Sequence, residues 1–271
     1  MNDLHLTSLQ NPKVKQMIHL RDRSTRDTTQ QFLIEGYREI LRAFQARWTI
    51  EMLFTCSDLF LGTNEPALIQ QIASRGTKIF TCTKQVFQKI SYRDRPDGLL
   101  AIAPQRFLKL DHLQQYVKSE HPPLFVVAEA IEKPGNLGTI LRSSDAVGVD
   151  GLIVCDRCTD IYNPNVVRAS VGTLFTVPTV EAKGEETLQW LRKNKIAIVA
   201  ATPHAPHAFT AVDLKQSVAI AVGTEQLGLS ERWMKEADIQ VRIPMNGVAD
   251  SLNVAMATTL LLYEAHRQRK Q

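Results

Sequence analysis

Three short phrases in the second half of the chain set small, polar and charged residues where apolar runs give way to helical patterns. The first, residues 129–142, reads Glu-Ala-Ile-Glu-Lys-Pro-Gly-Asn-Leu-Gly-Thr-Ile-Leu-Arg. The second, 223–230, reads Gly-Thr-Glu-Gln-Leu-Gly-Leu-Ser, and the third, 243–254, reads Ile-Pro-Met-Asn-Gly-Val-Ala-Asp-Ser-Leu-Asn-Val. In an open α/β sheet, ligands bind where strands end and helices begin. Gly135 and Gly138 permit a tight turn and close approach of a ligand, and the helix start that follows suits an anion. The spacing is neither G-x-G-x-x-G nor a Walker A loop, so ordinary dinucleotide or triphosphate binding has no support.

Single residues leave their readings open. Arg142, nearly two helical turns after Asn136, is a functional cation, a solvated charge or half of an ion pair. Glu225, between Gly223 and Gly228, is a ligand-facing carboxylate or a cap for the next helix. Ser251 or Asp250 suits the N-cap of the terminal helix; Asn253 would then sit in the first turn, where an asparagine is mildly unfavourable. Cys155 and Cys158 form a lone C-x-x-C, with His204 and His207 as the imaginable further ligands. Without paired spacing, no metal or redox site is expected. No G-x-S-x-G or H-E-x-x-H motif points to a hydrolase.

These phrases need a scaffold. A chain of 271 residues with 44% hydrophobic side chains supports one large or two modest domains. From Leu124 onward, runs such as 124–128, 151–155, 196–200, 218–222 and 239–243 read as buried strands. Helical stretches alternate with them at 136–147, 165–172, 185–193, 230–237 and 252–269. That alternation predicts a mostly parallel sheet covered on both faces. Residues 1–105 alternate in the same way on a smaller scale, and the polar stretch 106–123, ending in Pro122-Pro123, reads as a linker with room for one helix. The fold class is therefore α/β, with a small N-terminal domain and a larger domain over 124–271.

Charge points to a class of partner. Residues 11–48 carry eight basic side chains (Lys13, Lys15, Arg21, Arg23, Arg26, Arg38, Arg42, Arg47) against four acidic ones, and the whole chain carries a net +4. A surface for backbone phosphates has this composition, and so does a solvated helix face. Four cysteines make no disulfide framework, the opening Met1-Asn2-Asp3-Leu4-His5 has no leader pattern, and no apolar run reaches the ~18 residues of a membrane span. A reducing compartment, the cytoplasm, is expected.

Taken together, the three phrases resemble the motifs of the SpoU/TrmH family of RNA ribose 2′-O-methyltransferases in the SPOUT superfamily. Asn136, Gly138 and Arg142 match the first motif; Gly223, Glu225, Gly228, Leu229 and Ser230 match the second; Ile243, Pro244, Met245, Ser251, Leu252, Asn253 and Val254 match the third. Phe32-Leu33-Ile34-Glu35-Gly36 and Asp97-Gly98-Leu99-Leu100-Ala101 are similar to phrases of the substrate-binding domain that many members carry. The resemblance implies a deep trefoil knot, S-adenosylmethionine as cofactor, and a homodimer with its site at the interface. It implies cofactor contacts from Gly223, Gly228, Ile243 and Leu252, with Met245 and Thr202 nearby. It implies that Arg142, Asn136, Glu225, Ser251 and Asn253 form the catalytic site, with Arg142 taking the hydroxyl proton. A guanidinium with a pKa above ~12 is a poor base, so binding a phosphate is the alternative role. The implied substrate is structured RNA, ribosomal RNA ahead of tRNA, with no metal and no membrane. The alternatives are a tRNA methyltransferase, an RNA-binding relative without catalysis, and a nucleotide-dependent oxidoreductase or metal hydrolase on a doubly wound sheet.

Overall fold

Helix starts are written locally. Asn11 accepts from the Lys13 amide at 2.9 Å with Pro12 in the first turn; Asn163 accepts from the Asn165 amide at 2.9 Å with Pro164 behind it. Both pairings satisfy an amide that the helix itself leaves open, and proline at that position gives up nothing. A computed structural model of the protein describes residues 4–156 and 158–270. Residues 1–3, on which the leader reading rests in part, and Arg157 of the C-x-x-C phrase lie outside them.

The first ten elements are β1 (His5–Leu6), α1 (Pro12–His19), α2 (Arg23–Thr29), β2 (Gln31–Glu35), α3 (Tyr37–Gln45), β3 (Met52–Thr55), α4 (Glu65–Ala73), β4 (Lys78–Cys82), α5 (Lys84–Ile90) and β5 (Leu99–Pro104). Then come β6 (Leu124–Glu129), α6 (Pro134–Val147), β7 (Gly151–Cys155), α7 (Pro164–Ser170), β8 (Thr179–Ala182), α8 (Gly184–Lys193), β9 (Ala197–Ala201), β10 (His207–Ala208), β11 (Val218–Val222), α9 (Glu231–Glu236), β12 (Ile239–Arg242) and α10 (Val254–Arg269). The linker stretch holds one 3₁₀ segment, Leu110–Tyr116.

The chain forms two compact units, Met1–Arg106 with Asp160–Thr176, and Phe107–Thr159 with Val177–Gln271. In the first, a five-stranded sheet runs β1-β4-β3-β5-β2, parallel among β1, β4 and β3 and antiparallel at β5. Val14, Met17, Phe54, Phe87 and Ile102 fill its core. The segment 160–176 joins this unit through specific contacts. Arg26 is buried and donates to Asp160 at 2.8 Å, and the ring of Phe32 lies 4.6 Å from that of Tyr162.

The second unit is built on a seven-stranded sheet of order β10-β12-β9-β11-β6-β7-β8, and every ladder in it is parallel. Its central strands are apolar, but for Glu129 at the end of β6, because both faces are covered: β6, β7 and β11 are buried along their whole length. Phe125, Val127, Ile153, Leu191, Ile198 and Trp233 form the core on one side. On the second unit's largest helical contact, α6 and α10 pack against each other.

One feature departs from the sequence reading and another had no reading to depart from. Asn253, not Ser251 or Asp250, is the N-cap of α10, accepting from the amides of Ala255 at 3.0 Å and Met256 at 3.4 Å. The helix begins at Val254, so the cap falls two residues later than its composition suggested. The segment Arg23–Thr29 is helical although none of its residues is apolar; its buried residue is Arg26, whose guanidinium also donates to the carbonyls of Leu20 and Arg21. No hydrophobic period marks a helix whose inward side chain is a cation.

Candidate active site

The strand order places the first two phrases side by side. β6 and β11 are neighbours, with Ala128 opposite Val222. From β6 the chain moves outward to β7 and β8, then returns beyond β11 to β9. The direction of winding therefore reverses next to β6 and β11, and the crevice at their carboxyl ends is where such a sheet binds ligands.

The Glu225 carboxylate lies across that crevice. It accepts from Asn136 Nδ2 at 2.6 Å and from the backbone amides of Glu132 and Lys133 at 3.3 Å each. Burial alone would raise its pKa; the hydrogen bonds from Asn136 and from the amides of Glu225 itself, Glu132 and Lys133 outweigh burial and hold it below the usual carboxylate value. Asn136 passes the connection on, because its Oδ1 accepts from Asn253 Nδ2 at 3.1 Å. One residue from each phrase is thus joined in a line, Glu225 to Asn136 to Asn253, and the last is anchored as the cap of α10. Amides tied at both ends have their rotamers and flip states set before any ligand arrives, which is what a positioning site needs.

A second clamp sits beside it. Glu129, the last residue of β6, is buried and accepts from the Ser230 amide at 2.8 Å and the Ser230 hydroxyl at 2.6 Å. Sequence reasoning did not single out Glu129; its signal was an acid closing an otherwise apolar strand, Leu-Phe-Val-Val-Ala-Glu. Between the clamps, Thr224 and Gly228 pair as an isolated antiparallel bridge, N–H to O at 3.0 and 3.1 Å. The bridge folds the loop back over Gly223. A Cβ on Gly223 would stand 2.1 Å from the backbone of Gly228, so this position admits glycine alone. Gly228 has φ +70, the left-handed conformation that glycine adopts without strain.

The residues expected to hold the cofactor mark a neighbouring stretch of the sheet edge. Thr202 follows β9, Gly223 follows β11 and Ile243 follows β12, and these three strands are adjacent in the order β12-β9-β11. Thr202 is held there by its amide on the Val241 carbonyl at 3.0 Å. Met245 and Leu252 are half-buried on the segment that leads into α10. Among the described residues, the backbone groups of Ile243 and Leu252 pair with no other protein group. Unpaired backbone donors and acceptors, a half-buried methionine and a glycine loop suit a ligand held largely by main-chain groups.

Arg142 and Ser251 stand apart from the hydrogen-bonded line. Arg142 is exposed on α6, and six residues along a helix set it about 120° around the axis from Asn136. Among the described residues it has no hydrogen-bond or ion-pair partner. Ser251 is exposed and its hydroxyl is likewise unbonded among them.

Cys155 is buried, donates to Thr187 Oγ1 at 3.2 Å, and burial pushes its thiol up to about 12, so it offers no thiolate at neutral pH. Among the described residues, no group of three His, Cys, Asp or Glu side chains is placed to hold a metal ion, and no helix is long and apolar enough to cross a membrane.

Comparison with known proteins adds to this geometry. Residues 123–263 match the SpoU rRNA Methylase family, and residues 11–101 match an MRM3-like substrate binding domain. A 23S rRNA (uridine(2479)-2′-O)-methyltransferase of Streptomyces viridochromogenes is 31% identical over 92% of this chain and 87% of its own length. An AdoMet-bound rRNA methyltransferase from Sinorhizobium meliloti superposes with a TM-score of 0.87 at 31% identity, covering 97% of both chains. A TrmH/SpoU tRNA modifying enzyme from A. aeolicus, at 30% identity and a TM-score of 0.51, covers 59% of this chain and 82% of its own. With all three phrases brought to one sheet edge and matches along nearly its whole length, the chain belongs to the SpoU rRNA methylase family.

Proposed function

We propose that this protein transfers a methyl group from S-adenosylmethionine to a ribose 2′-hydroxyl of ribosomal RNA. The observation that carries the reading is the Glu225–Asn136–Asn253 line, which joins one residue of each family phrase at the carboxyl edge of the parallel sheet. Family membership supplies the reaction class, and the full-length match to rRNA enzymes supplies the substrate class. The tRNA enzyme matches over 59% of the chain, whereas the rRNA enzymes match over the substrate-binding segment as well. That difference favours ribosomal RNA over tRNA.

When bound, S-adenosylmethionine supplies a methyl group already activated on a sulfonium that leaves neutral. The backbones of Gly223, Gly228, Ile243 and Leu252 would hold it, with Thr202 and Met245 alongside. Asn136 and Asn253 orient the ribose, and Glu225 keeps both amides in register. Ser251 is free to hydrogen-bond the 2′-hydroxyl. Arg142 binds the phosphate next to the target ribose and stabilises the alkoxide charge that develops as the hydroxyl proton passes to solvent water.

The active form in this reading is a homodimer. On α10, Met256, Leu260 and Tyr263 are 63%, 43% and 51% exposed at spacings of four and three residues, an apolar stripe along one helix face. Arg142, turned away from its own Asn136, fits a site completed by a second subunit. The segment 243–253 crosses from beyond β9 and β11 to reach Asn136 through Asn253, a path that suits the threaded loop of a trefoil knot. We assign residues 1–105 to substrate binding, 106–123 to a linker and 124–271 to the methyltransferase domain, except that residues 160–176 belong to the first compact unit. A ribosomal RNA target supports a cytoplasmic location.

The test is methyl transfer from labelled S-adenosylmethionine to ribosomal RNA and, separately, tRNA from a strain lacking this protein. Label is expected in ribosomal RNA as 2′-O-methyl nucleotide. With Arg142→Ala it falls by at least ~10²-fold while cofactor binding is kept. Label in tRNA alone would replace the substrate, and an unchanged rate in Arg142→Ala would remove that residue from the site.

A further inference from the structure

Tyr92, in the loop between α5 and β5, is 38% exposed, yet its position is held at three points. Its backbone amide donates to Glu35 Oε2 at 2.8 Å, and Glu35 is buried, its other oxygen taking the Ser91 hydroxyl. Its phenol oxygen accepts from Asn165 Nδ2 at 2.9 Å. The guanidinium of Arg21 stands 6.0 Å from the ring centroid and is itself fixed by the carbonyls of Lys89 and Ser91 at 2.8 and 2.7 Å. Arg168 donates to Asn165 Oδ1 at 3.3 Å and is otherwise exposed. All these residues belong to the first compact unit.

An exposed aromatic side chain ordinarily loses rotamer freedom when it binds something; here that freedom is already gone in the folded chain. The surroundings specify what it would bind. An aromatic face accepts any base by stacking, and cations beside it meet the phosphates on either side. Bases inside an A-form helix have both faces covered by their neighbours, so an isolated aromatic platform selects a nucleotide that is unpaired and unstacked.

We infer that Tyr92, braced by Arg21 and Asn165 and flanked by Arg168, is a stacking platform for one unpaired nucleobase of the RNA substrate. The inference rests on the RNA reading given above and adds the form of RNA that the first unit grips.

The full-length protein is titrated with a labelled oligouridine of about a dozen nucleotides and with a blunt RNA duplex of the same length. Tyr92→Ala is expected to weaken oligouridine binding by about 5- to 100-fold and to leave duplex binding within about twofold. Tyr92→Phe keeps the ring and is expected to bind oligouridine like wild type. If Tyr92→Ala does not fold, Tyr92→Leu replaces it, with the same direction expected. Equal binding of oligouridine by wild type and Tyr92→Ala overturns the inference, as does an equal loss on oligouridine and duplex, a Tyr92→Phe variant as weak as Tyr92→Ala, or no oligouridine binding by wild type. Methyl transfer separates the two readings. A wild type that methylates ribosomal RNA with a KM unaltered in Tyr92→Ala loses the platform alone. A wild type that methylates no RNA loses the enzymatic reading, while the titration still decides the platform.

Discussion

Asn253 caps α10 with its Oδ1 and donates with its Nδ2 to Asn136 Oδ1 at 3.1 Å, so one amide both starts the terminal helix and completes the line to Glu225. The two jobs use different atoms and can be separated. Asn253→Asp keeps the capping oxygen and loses the donor; it is expected to melt within about 2 °C of wild type, since Asp caps as well as Asn, and to transfer methyl about tenfold more slowly. Asn253→Ala loses both, and about 1 kcal/mol of stability should go with the rate. Paired melting curves and single-turnover rates check this; equal rates for wild type and Asn253→Asp would detach the donor from function.

Gly223 and Gly135 give opposite outcomes for the same substitution. A Cβ on Gly223 meets the Gly228 backbone at 2.1 Å, whereas one on Gly135 meets nothing within 4 Å. Gly223→Ala should open the Thr224–Gly228 bridge, cost about 1–3 kcal/mol and lower cofactor affinity by at least about tenfold. Gly135→Ala should leave both unchanged. Calorimetric titration with S-adenosylmethionine, alongside denaturant midpoints, makes the comparison.

The Glu225 carboxylate should make stability depend on pH. Its pKa lies below the usual value in the folded chain, so its stabilisation is present above the unfolded carboxylate pKa and is lost as pH falls through the folded one. Glu225→Gln does not titrate. Wild type should be more stable than this variant by about 1–2 kcal/mol at pH 7, and the gap should narrow as pH is taken down towards 3. Urea midpoints across that range give the answer; a constant gap would mean that the carboxylate's charge plays no part.

Arg26 and Asp160 are 1% and 4% exposed and joined at 2.8 Å within the first unit. Removing one partner strands a charge, and Arg26→Ala should cost about 3–5 kcal/mol. Replacing both with apolar residues, Arg26→Met with Asp160→Leu, should recover most of the loss. A double-mutant cycle by denaturant unfolding measures the coupling.

The apolar stripe on α10 tests the homodimer. Met256→Glu should put a charge on the proposed interface, shift the protein to monomer in sedimentation velocity, and abolish methyl transfer while leaving the monomer folded. A dimer that persists in Met256→Glu would place the interface elsewhere.

The sequence by itself determined the fold class and the long buried elements. Strands β6, β7, β9 and β11 are continuous apolar runs because both faces of the sheet are covered, and that pattern needs no tertiary knowledge to read. The helix that opens at Pro134 and the terminal helix also announce themselves, by proline and by apolar content. The resemblance of the three phrases to a known family nominated Asn136, Glu225 and Asn253, whose single-residue readings spacing alone left open. Short edge strands were not legible. β1, β8 and β10 are two to four residues long, and what makes them strands is the neighbour they pair with. The polar helix α2 was hidden for the related reason that its inward residue is Arg26, paired with an aspartate 134 positions away.

Tertiary structure alone decided which side chains meet. Glu225 and Asn136 lie 89 residues apart, and Asn136 and Asn253 lie 117 apart. They touch because β11 inserts beside β6 and because α10 packs on α6, and strand order and helix pairing are set by the whole chain's burial rather than by any local period. Glu129, at the end of β6, and Tyr92, in its loop, belong to the same class. A carboxylate gains its meaning from the Ser230 groups it receives, and an aromatic ring from the arginine and asparagine that hold it at the surface.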